Sequence, residues 1–419
     1  MNSNPEDAWK REFELNSLAD VKIRNIRNGF SWSEVEPEND LWSWETTDTL
    51  RNLAVEFGFS WDARLAYTVD WAAQNGSPSL INPEDFADYV FHIAERYCDD
   101  IHRYERWNEP NFYHFWEPKP DPEHYGLLLK AAFQAVKTAC PEAEVLFGRL
   151  APANFAQEWH SGTYPFFDQV VQLHPDICDY FDAMPIHPYT VFQEVRPEFS
   201  AQLVGMQYPD VPGQVDDIRA RLEAAGCPDK PVLFSEFGWP STFIGQQQQA
   251  AYIVRTILLG AMKDVSGYYL YTFWDKTGRE PVTENHFGLY AYPESTNPEE
   301  QVPKQSYFAL QTIGNILGEA RFAGDLSEIL HLPQNVYALA FLEMVETGLV
   351  VVAWDGRAGQ SAFTVSLPKH PDASVMEVVD IYGQQLAEST NDSITLELNS
   401  DVVYNSKMTV ENRSKAITR

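Results

Sequence analysis

The chain has 419 residues, 44% of them hydrophobic and 14% aromatic, with 61 acidic against 30 basic side chains and a formal charge of −31. That length holds one large and one small domain, and the apolar content supplies a packed core rather than a disordered chain. The charge excludes nucleic acid and anionic membranes as partners, and the lack of any run of about 18 apolar residues excludes a membrane helix.

Acidic excess of this size reads either as a generic soluble surface or, since arginine outnumbers lysine, as adaptation to salt. The first residues, Met1-Asn2-Ser3-Asn4, have neither a basic start nor an apolar core, so they are not a signal peptide, and the location reads as cytoplasmic if that terminus is the natural one. Cys98, Cys140, Cys178 and Cys227 lie far apart without paired spacing, and are expected to be structural thiols rather than disulfides or a zinc site. Asp62, Asp70 and His92 have no metal-ligand spacing, and no glycine-rich phosphate loop follows any strand, so neither metal nor cofactor is expected.

Taken in order, Asn4-Pro5-Glu6-Asp7 combines an N-cap, a first-turn proline and acids on the helix dipole, predicting a helix that fades near Asp20. A strand over 21–27 follows, then a helix over 44–57 closed by Gly58, a strand over 59–67 and a helix over 83–98 opened by Asn82. The run Tyr104-Glu105-Arg106-Trp107 is strand-like and stops at Asn108-Glu109-Pro110, because proline cannot continue a ladder. The alternation goes on with a helix over 122–140, a strand over 144–150, a helix over 166–173, a strand over 180–187 and a helix over 214–225. The apolar run from Pro231 ends on Glu236, and a helix over 246–262, a strand over 267–274 and a helix over 306–317 complete the series. Strands alternating with helices predict a parallel sheet covered by helices, an α/β fold. After Gly318 short β segments follow one another without helices, which predicts a small antiparallel β-sandwich. Two domains are therefore expected, 1–318 and 319–419, with a polar end from Asn405 onward that frays.

Glu109 and Glu236 each end an apolar strand, the rim where a (β/α) barrel places its chemistry. An acid there is costly unless it is paired or used. Two carboxylates facing one pocket are the minimum for glycoside cleavage. Asn108 can hydrogen-bond a sugar hydroxyl, Arg27 can keep a nearby carboxylate ionised, and Tyr189 can donate to it. His187 is either a site residue or a satisfied strand-end histidine. Trp274 is either the floor of a sugar site or a core tryptophan. Tyr67, Trp71, His114 and Trp116 follow strands and read equally as walls of outer subsites or as ordinary rim residues.

The stretches Arg27-Asn28-Gly29-Phe30-Ser31-Trp32-Ser33-Glu34-Val35-Glu36-Pro37, Trp107-Asn108-Glu109-Pro110-Asn111 and Ser235-Glu236-Phe237-Gly238-Trp239, with Tyr271-Thr272-Phe273-Trp274 and His286-Phe287-Gly288-Leu289, resemble the retaining glycoside hydrolases built on a (β/α)8 TIM barrel with catalytic glutamates on strands 4 and 7. Within that clan the likeness is to family 39 first and family 5 second, over about residues 5–318. The resemblance implies that Glu109 is the acid/base and Glu236 the nucleophile. It further implies that Asn108 binds the 2-hydroxyl, that Arg27 and Tyr189 hold Glu236, and that Trp274 is the platform at the cleaved sugar; His187, Trp116, Trp32 and Tyr67 are further candidates for the substrate site. The implied substrate is an oligosaccharide, a polysaccharide or an aryl β-glycoside. A family 5-like endo-acting β-glucanase or mannanase is the alternative enzyme, and a catalytically idle carbohydrate-binding barrel the alternative from another class.

The strand count carries one further expectation. Glu109 ends the third strand found, Glu236 the sixth and Trp274 the seventh, and Arg27 falls where strand 2 is expected. The numbering is coherent with strand 1 missing, since residues 1–4 are too few to supply it. Such a barrel has two unpaired edges, covered either by a second copy of the chain, a homo-oligomer, or by a local rearrangement.

Overall fold

A computed structural model describes residues 8–73, 76–151, 163–190, 195–203, 206–277, 283–343, 348–357, 359–368 and 375–408. The first helix, α1 (Ala8–Asp20), keeps the expected end, while its expected start at Asn4–Asp7 lies outside the described residues. Strand β1 spans Asn25–Phe30 rather than 21–27. The reason is local: Lys22 adopts a positive φ of 64° and its N–H bonds back to Ala19, so the chain is still turning out of α1 at that point. Arg27 consequently lies inside a strand and not at its end.

Strands β2 (Ser60–Leu65), β3 (Ile101–Arg106) and β4 (Glu144–Leu146) follow, separated by α2 (Trp32–Val35), α3 (Glu45–Glu56), α4 (Pro83–Tyr97) and α5 (Pro122–Ala139). Helices α4 and α5 begin as their sequences require: the Asn82 and Asp121 side chains accept the N–H of Glu84 and of His124, and Pro83 and Pro122 open the first turn. Strands β1 to β4 lie side by side, parallel and in chain order. Parallel bridges from Leu146 to Ala183 and from Leu150 to Ile186 carry the sheet on to β5 (Met184–Ile186), beyond α6 (Thr163–Leu173).

A short hairpin, β6 (Ala201–Leu203) and β7 (Met206–Tyr208), stands apart and was not legible beforehand. After α7 (Val211–Ala224), β8 (Val232–Phe237) pairs in parallel with β5 and with β9 (Tyr268–Leu270), which follows α8 (Ser241–Met262). Among the described residues the result is seven parallel strands in one run, the expected number. Among the described residues no ladder joins β9 to β1. A cavity of about 620 Å³ occupies that junction, with Leu18, Ile26, Leu258, Leu310 and Ile313 on its apolar side and Glu236 at its polar end. Within the junction the Tyr269 hydroxyl donates to Asp62, so β9 is tied to β2 by side chains instead of backbone.

Helix α9 (Gln305–Leu317) leads into β10 (Ala320–Asp325), β11 (Val336–Glu343), β12 (Leu349–Asp355), β13 (Phe363–Pro368), β14 (Val375–Val379), β15 (Gln385–Ser389), β16 (Ser393–Leu398) and β17 (Val403–Met408). They form an antiparallel sheet ordered β10-β11-β12-β17-β14-β15 and a separate β13-β16 pair, as antiparallel strands without helices predict. Strand β17 corrects the expectation of fraying from Asn405: it lies between β12 and β14 and pairs with both. Val402, Val403 and Tyr404 are buried and anchor it, so its polar second half is drawn into the ladder.

These sheets are joined to the parallel-stranded part by a buried cluster. Arg255 on α8 forks onto Glu198, whose Oε1 also accepts the Trp354 indole N–H of β12 at 2.9 Å. The cysteines are a second correction. Cys98 bonds to Cys140 and Cys178 to Cys227, with Cα–Cα separations of 5.4 and 5.9 Å. Those separations lie in the usual disulfide range. Spacing in the chain gave no hint, because the partners are brought together by helix ends: Cys98 and Cys140 directly follow α4 and α5. No helix among the described residues is long and apolar enough to cross a membrane.

Candidate active site

The backbone leaving β3 is strained where the chemistry is expected. Trp107 has φ 70° and Glu109 φ 47°, a region that bulky L-residues adopt at a cost of about 1–3 kcal/mol and that clusters at functional sites. Two supports hold the turn. Asn108 makes a parallel bridge with Arg149, and the Asn111 amide exchanges two hydrogen bonds with the Ala151 backbone, at 2.8 and 3.0 Å.

The Glu109 carboxyl is 12% exposed, and His187 Nδ1 lies 2.7 Å from its Oε1. Burial, followed by the charge of Glu236, pushes the Glu109 carboxyl well above its ordinary range. Burial and the field of Arg27 and Arg64 push His187 well below its own, so the imidazole is neutral.

Glu236, the fifth residue of β8, has richer surroundings. The Tyr189 hydroxyl donates to its Oε1 at 3.0 Å, and the Nη1 atoms of Arg149 and Arg27 stand 3.5 and 3.9 Å from its Oε2. Burial raises this carboxyl too, while Arg27, the Tyr189 hydrogen bond and Arg64 pull it back down. Arg64 can sit there because Gly29 has no side chain: a Cβ at Gly29 would come within 2.4 Å of the Arg64 guanidinium. His187 and Tyr189 both leave the end of β5, and a bond from the Tyr189 N–H to the His187 carbonyl fixes the two side chains relative to each other. One loop thus touches both carboxylates.

The structure brings together Glu109, Glu236, Arg27, His187 and Tyr189. Asn108 adjoins Glu109 in the chain and is 5% exposed. Tyr67 is partly buried, stacks on Phe115 at 6.1 Å, and feels the charges of Glu109 and Glu236. Three tryptophans go elsewhere. Trp32 is fully buried, stacked on Tyr89 with its N–H on Glu36. Trp116 is also fully buried, packed on Trp107 with its N–H on Ser79. Neither can present a face to a substrate, because burial outward of the strands makes each part of the core. Trp274 stacks on Phe13 of α1 and donates to Glu14 at 2.6 Å, so it faces the first helix rather than the carboxylates. Trp71 donates to the Glu36 carbonyl, and His114 is exposed.

Two residues were missed. Glu105, 1% exposed in mid-strand β3, and Arg149, fully buried beyond β4, pair with each other beneath Glu236. No sequence signal singles out Glu105, because β3 reads Ile-His-Arg-Tyr-Glu-Arg and carries three other polar or charged side chains. The only group of potential metal ligands found among the described residues is Glu36, Asp40 and Asp88, which includes neither Glu109 nor Glu236, and two of its three members are exposed.

Solved structures share this fold. They include a family 39 glycoside hydrolase from the gut symbiont Bacteroides cellulosilyticus, 22% identical over 97% of this chain and 80% of that one, with a TM-score of 0.77. A family 39 β-xylosidase from Caulobacter crescentus is 17% identical over 96% and 93%, TM-score 0.64, and a glucosidase from Croceicoccus marinus is 15% identical over 94% and 92%, TM-score 0.66. No protein-family model matches the chain, and no curated protein does. At such identities the likeness defines the fold, which is that of the family 39 glycoside hydrolases.

Proposed function

We propose that the chain is a retaining glycoside hydrolase that cleaves β-glycosidic bonds of an oligosaccharide, a polysaccharide or an aryl β-glycoside. The observation that carries the reading is the pair of buried carboxyls in unlike surroundings, Glu109 against a neutral His187 and Glu236 among two guanidiniums and a phenol. Such a difference keeps one carboxyl protonated and the other ionised. In the first step Glu236 attacks the anomeric carbon while Glu109 gives its proton to the departing oxygen, leaving a glycosyl ester on Glu236. In the second step Glu109, now a base, takes a proton from water, and the resulting oxygen displaces Glu236. Asn108 binds the 2-hydroxyl and Tyr67 borders the sugar. The likeness to a β-xylosidase supports a β-linked sugar substrate.

The fold that goes with this reading is a (β/α) barrel whose described residues supply seven parallel strands, over 1–318, followed by a β-sandwich domain over 319–419. Its open junction is covered by a second copy of the chain, and light scattering that gives a monomer at micromolar concentration would remove that part alone. The enzyme is tested with a panel of aryl β-glycosides and polysaccharides, following the product anomer by NMR. Release of the β-anomer first supports retention. The α-anomer first, or binding without hydrolysis across the panel, rejects the mechanism, the latter in favour of an idle carbohydrate-binding barrel.

A further inference from the structure

Glu105 sits on β3 with its carboxylate turned into the interior and almost wholly out of water. Its Oε2 accepts the Arg27 Nε–H at 3.3 Å, and its Oε1 is paired with Arg149 Nε. Each arginine then offers a different nitrogen, Nη1, to Oε2 of Glu236. Carboxylate, guanidinium, carboxylate and guanidinium therefore close a ring contributed by β1, β3, the segment beyond β4, and β8. The second oxygen of Glu236 is taken by Tyr189.

A ring of this kind is poor equipment for stability alone. Burying four charges costs several kcal/mol for each ion, and a well-packed apolar substitute is often as stable; burial pushes the Glu105 carboxyl up to about 8 against the pull of Arg27 and Arg64, so its charge depends on the two arginines that flank it. Among the described residues, Nη2 of Arg27 and Nη2 of Arg149 are buried without a hydrogen-bond partner, and the Glu105 Oε1–Arg149 Nε contact is an ion pair without hydrogen-bond geometry. Structural ion clusters normally satisfy such donors. What the ring does achieve is orientation. A guanidinium is a rigid fork, so a carboxylate gripping its Nε side determines where its Nη1 points.

We propose that Glu105 and Arg149 are positioning residues for Glu236: Glu105 holds Arg27 and Arg149 so that both present Nη1 to Oε2, and together they fix the orientation and charge of that carboxylate. The inference rests on the reading of Glu236 as nucleophile for its consequence in catalysis, although the ring itself does not depend on it. Other groups act on Glu236 as well. Arg64 of β2 and Tyr189 favour its charge, while Glu109 and Glu284 oppose it. Tyr271, beyond β9, also lies within its field. The roles of Glu105 and Arg149 are therefore isolated by changing only their charges.

During catalysis the ring's charge changes. When Glu236 becomes a glycosyl ester it loses its negative charge, leaving one carboxylate between two guanidiniums. The uncompensated positive charge favours departure of Glu236 as a carboxylate in the second step. Removing Arg149's charge should therefore slow breakdown of the ester more than its formation. Removing that of Glu105 should do the reverse, because a more strongly held Glu236 is a weaker nucleophile.

The test follows the titration of Glu236 in the full chain labelled with carboxyl-13C glutamate, its signal assigned by loss in Glu236→Gln. In Arg149→Met its midpoint should rise by about one pH unit, the usual effect of losing a nearby opposite charge. In Glu105→Gln it should fall, by less. Arg149→Lys, which keeps the charge but not the fork, should leave the midpoint near that of the parent while kcat/KM drops about tenfold, a loss of about 1.4 kcal/mol. Glu105→Asp should return the midpoint toward that of the parent. An unmoved Glu236 midpoint in folded Arg149→Met overturns the proposal, as does movement of both charge-removing variants in the same direction. If Glu105→Gln does not fold, the two Arg149 variants decide the matter alone. Failure of the enzymatic reading is seen separately, as absence of a glycosyl azide from Glu236→Gly, and leaves the titration result standing.

Discussion

Glu109 and Glu236 are the same residue type, both partly buried, one beyond β3 and one within β8, and burial raises both carboxyls. They differ in company. Glu109 has a neutral imidazole and a negative neighbour, whereas Glu236 has cations on one oxygen and a phenol on the other. Desolvation is therefore common to both, and the neighbouring charges set the two carboxyls apart. In the proposed mechanism Glu236 acts ionised and Glu109 protonated, so activity should be lost as pH falls through the pKa of Glu236 and as pH rises through that of Glu109, giving a bell-shaped profile.

The comparison is broken most severely by removing the ionised member. Glu236→Gly should lose at least about 10⁴-fold in kcat, and azide should restore part of it by forming an α-glycosyl azide; near-parent turnover would end the assignment. Glu109→Ala comes next, with a loss of about 10²–10⁴-fold for alkyl or sugar leaving groups, which need protonation. Dinitrophenyl glycosides should suffer far less in the first step, and equal slowing for both substrate classes would count against Glu109 as the acid.

Tyr189→Phe sharpens the contrast more gently. It removes one hydrogen bond to a charged group, about 1.5–3 kcal/mol, so kcat/KM should fall about tenfold or somewhat more. The sign of the pH effect is fixed: the lost bond had favoured the ionised form, so the acid limb should move to higher pH while the alkaline limb stays. The smallest effect on rate is expected from reducing the disulfides. Closing a loop of 42 residues is worth up to about 4 kcal/mol in the chain-entropy model. Differential scanning fluorimetry with dithiothreitol should therefore show a lower Tm, with both pH limbs unmoved at 25 °C.

What was legible in the chain follows from what backbone chemistry can signal. Pro110 and the apolar runs marked the strands that carry Glu109 and Glu236, and the 3.6-residue rhythm with Asn82 and Asp121 as caps marked the helices between them. The count of seven parallel strands came from the same punctuation. Side-chain direction was not legible in the same way. Trp32 and Trp116 stand beside strand ends in sequence, yet turn into the layer beneath the helices and are lost to any site. Arg149 follows Gly148 in an otherwise apolar stretch, and nothing local reveals that its fork meets Glu105 from another strand. The cysteine pairs and β17 were missed for a related reason, since both depend on partners distant in the chain.

The cluster of Glu198, Arg255 and Trp354 has a bearing on how this molecule can be altered. Glu198 lies eleven residues after His187 and nine after Tyr189, on the connection that leaves the carboxylates, and a side chain of the C-terminal sheets donates directly to it. Those sheets are therefore no interchangeable cargo. Cutting the chain after α9, or grafting another β module there, would strip the Glu198–Arg255 pair of the indole that completes it and open a buried salt bridge to solvent. Modular shuffling, so convenient for enzymes whose accessory domains hang on linkers, would in this chain disturb the loop that touches both glutamates.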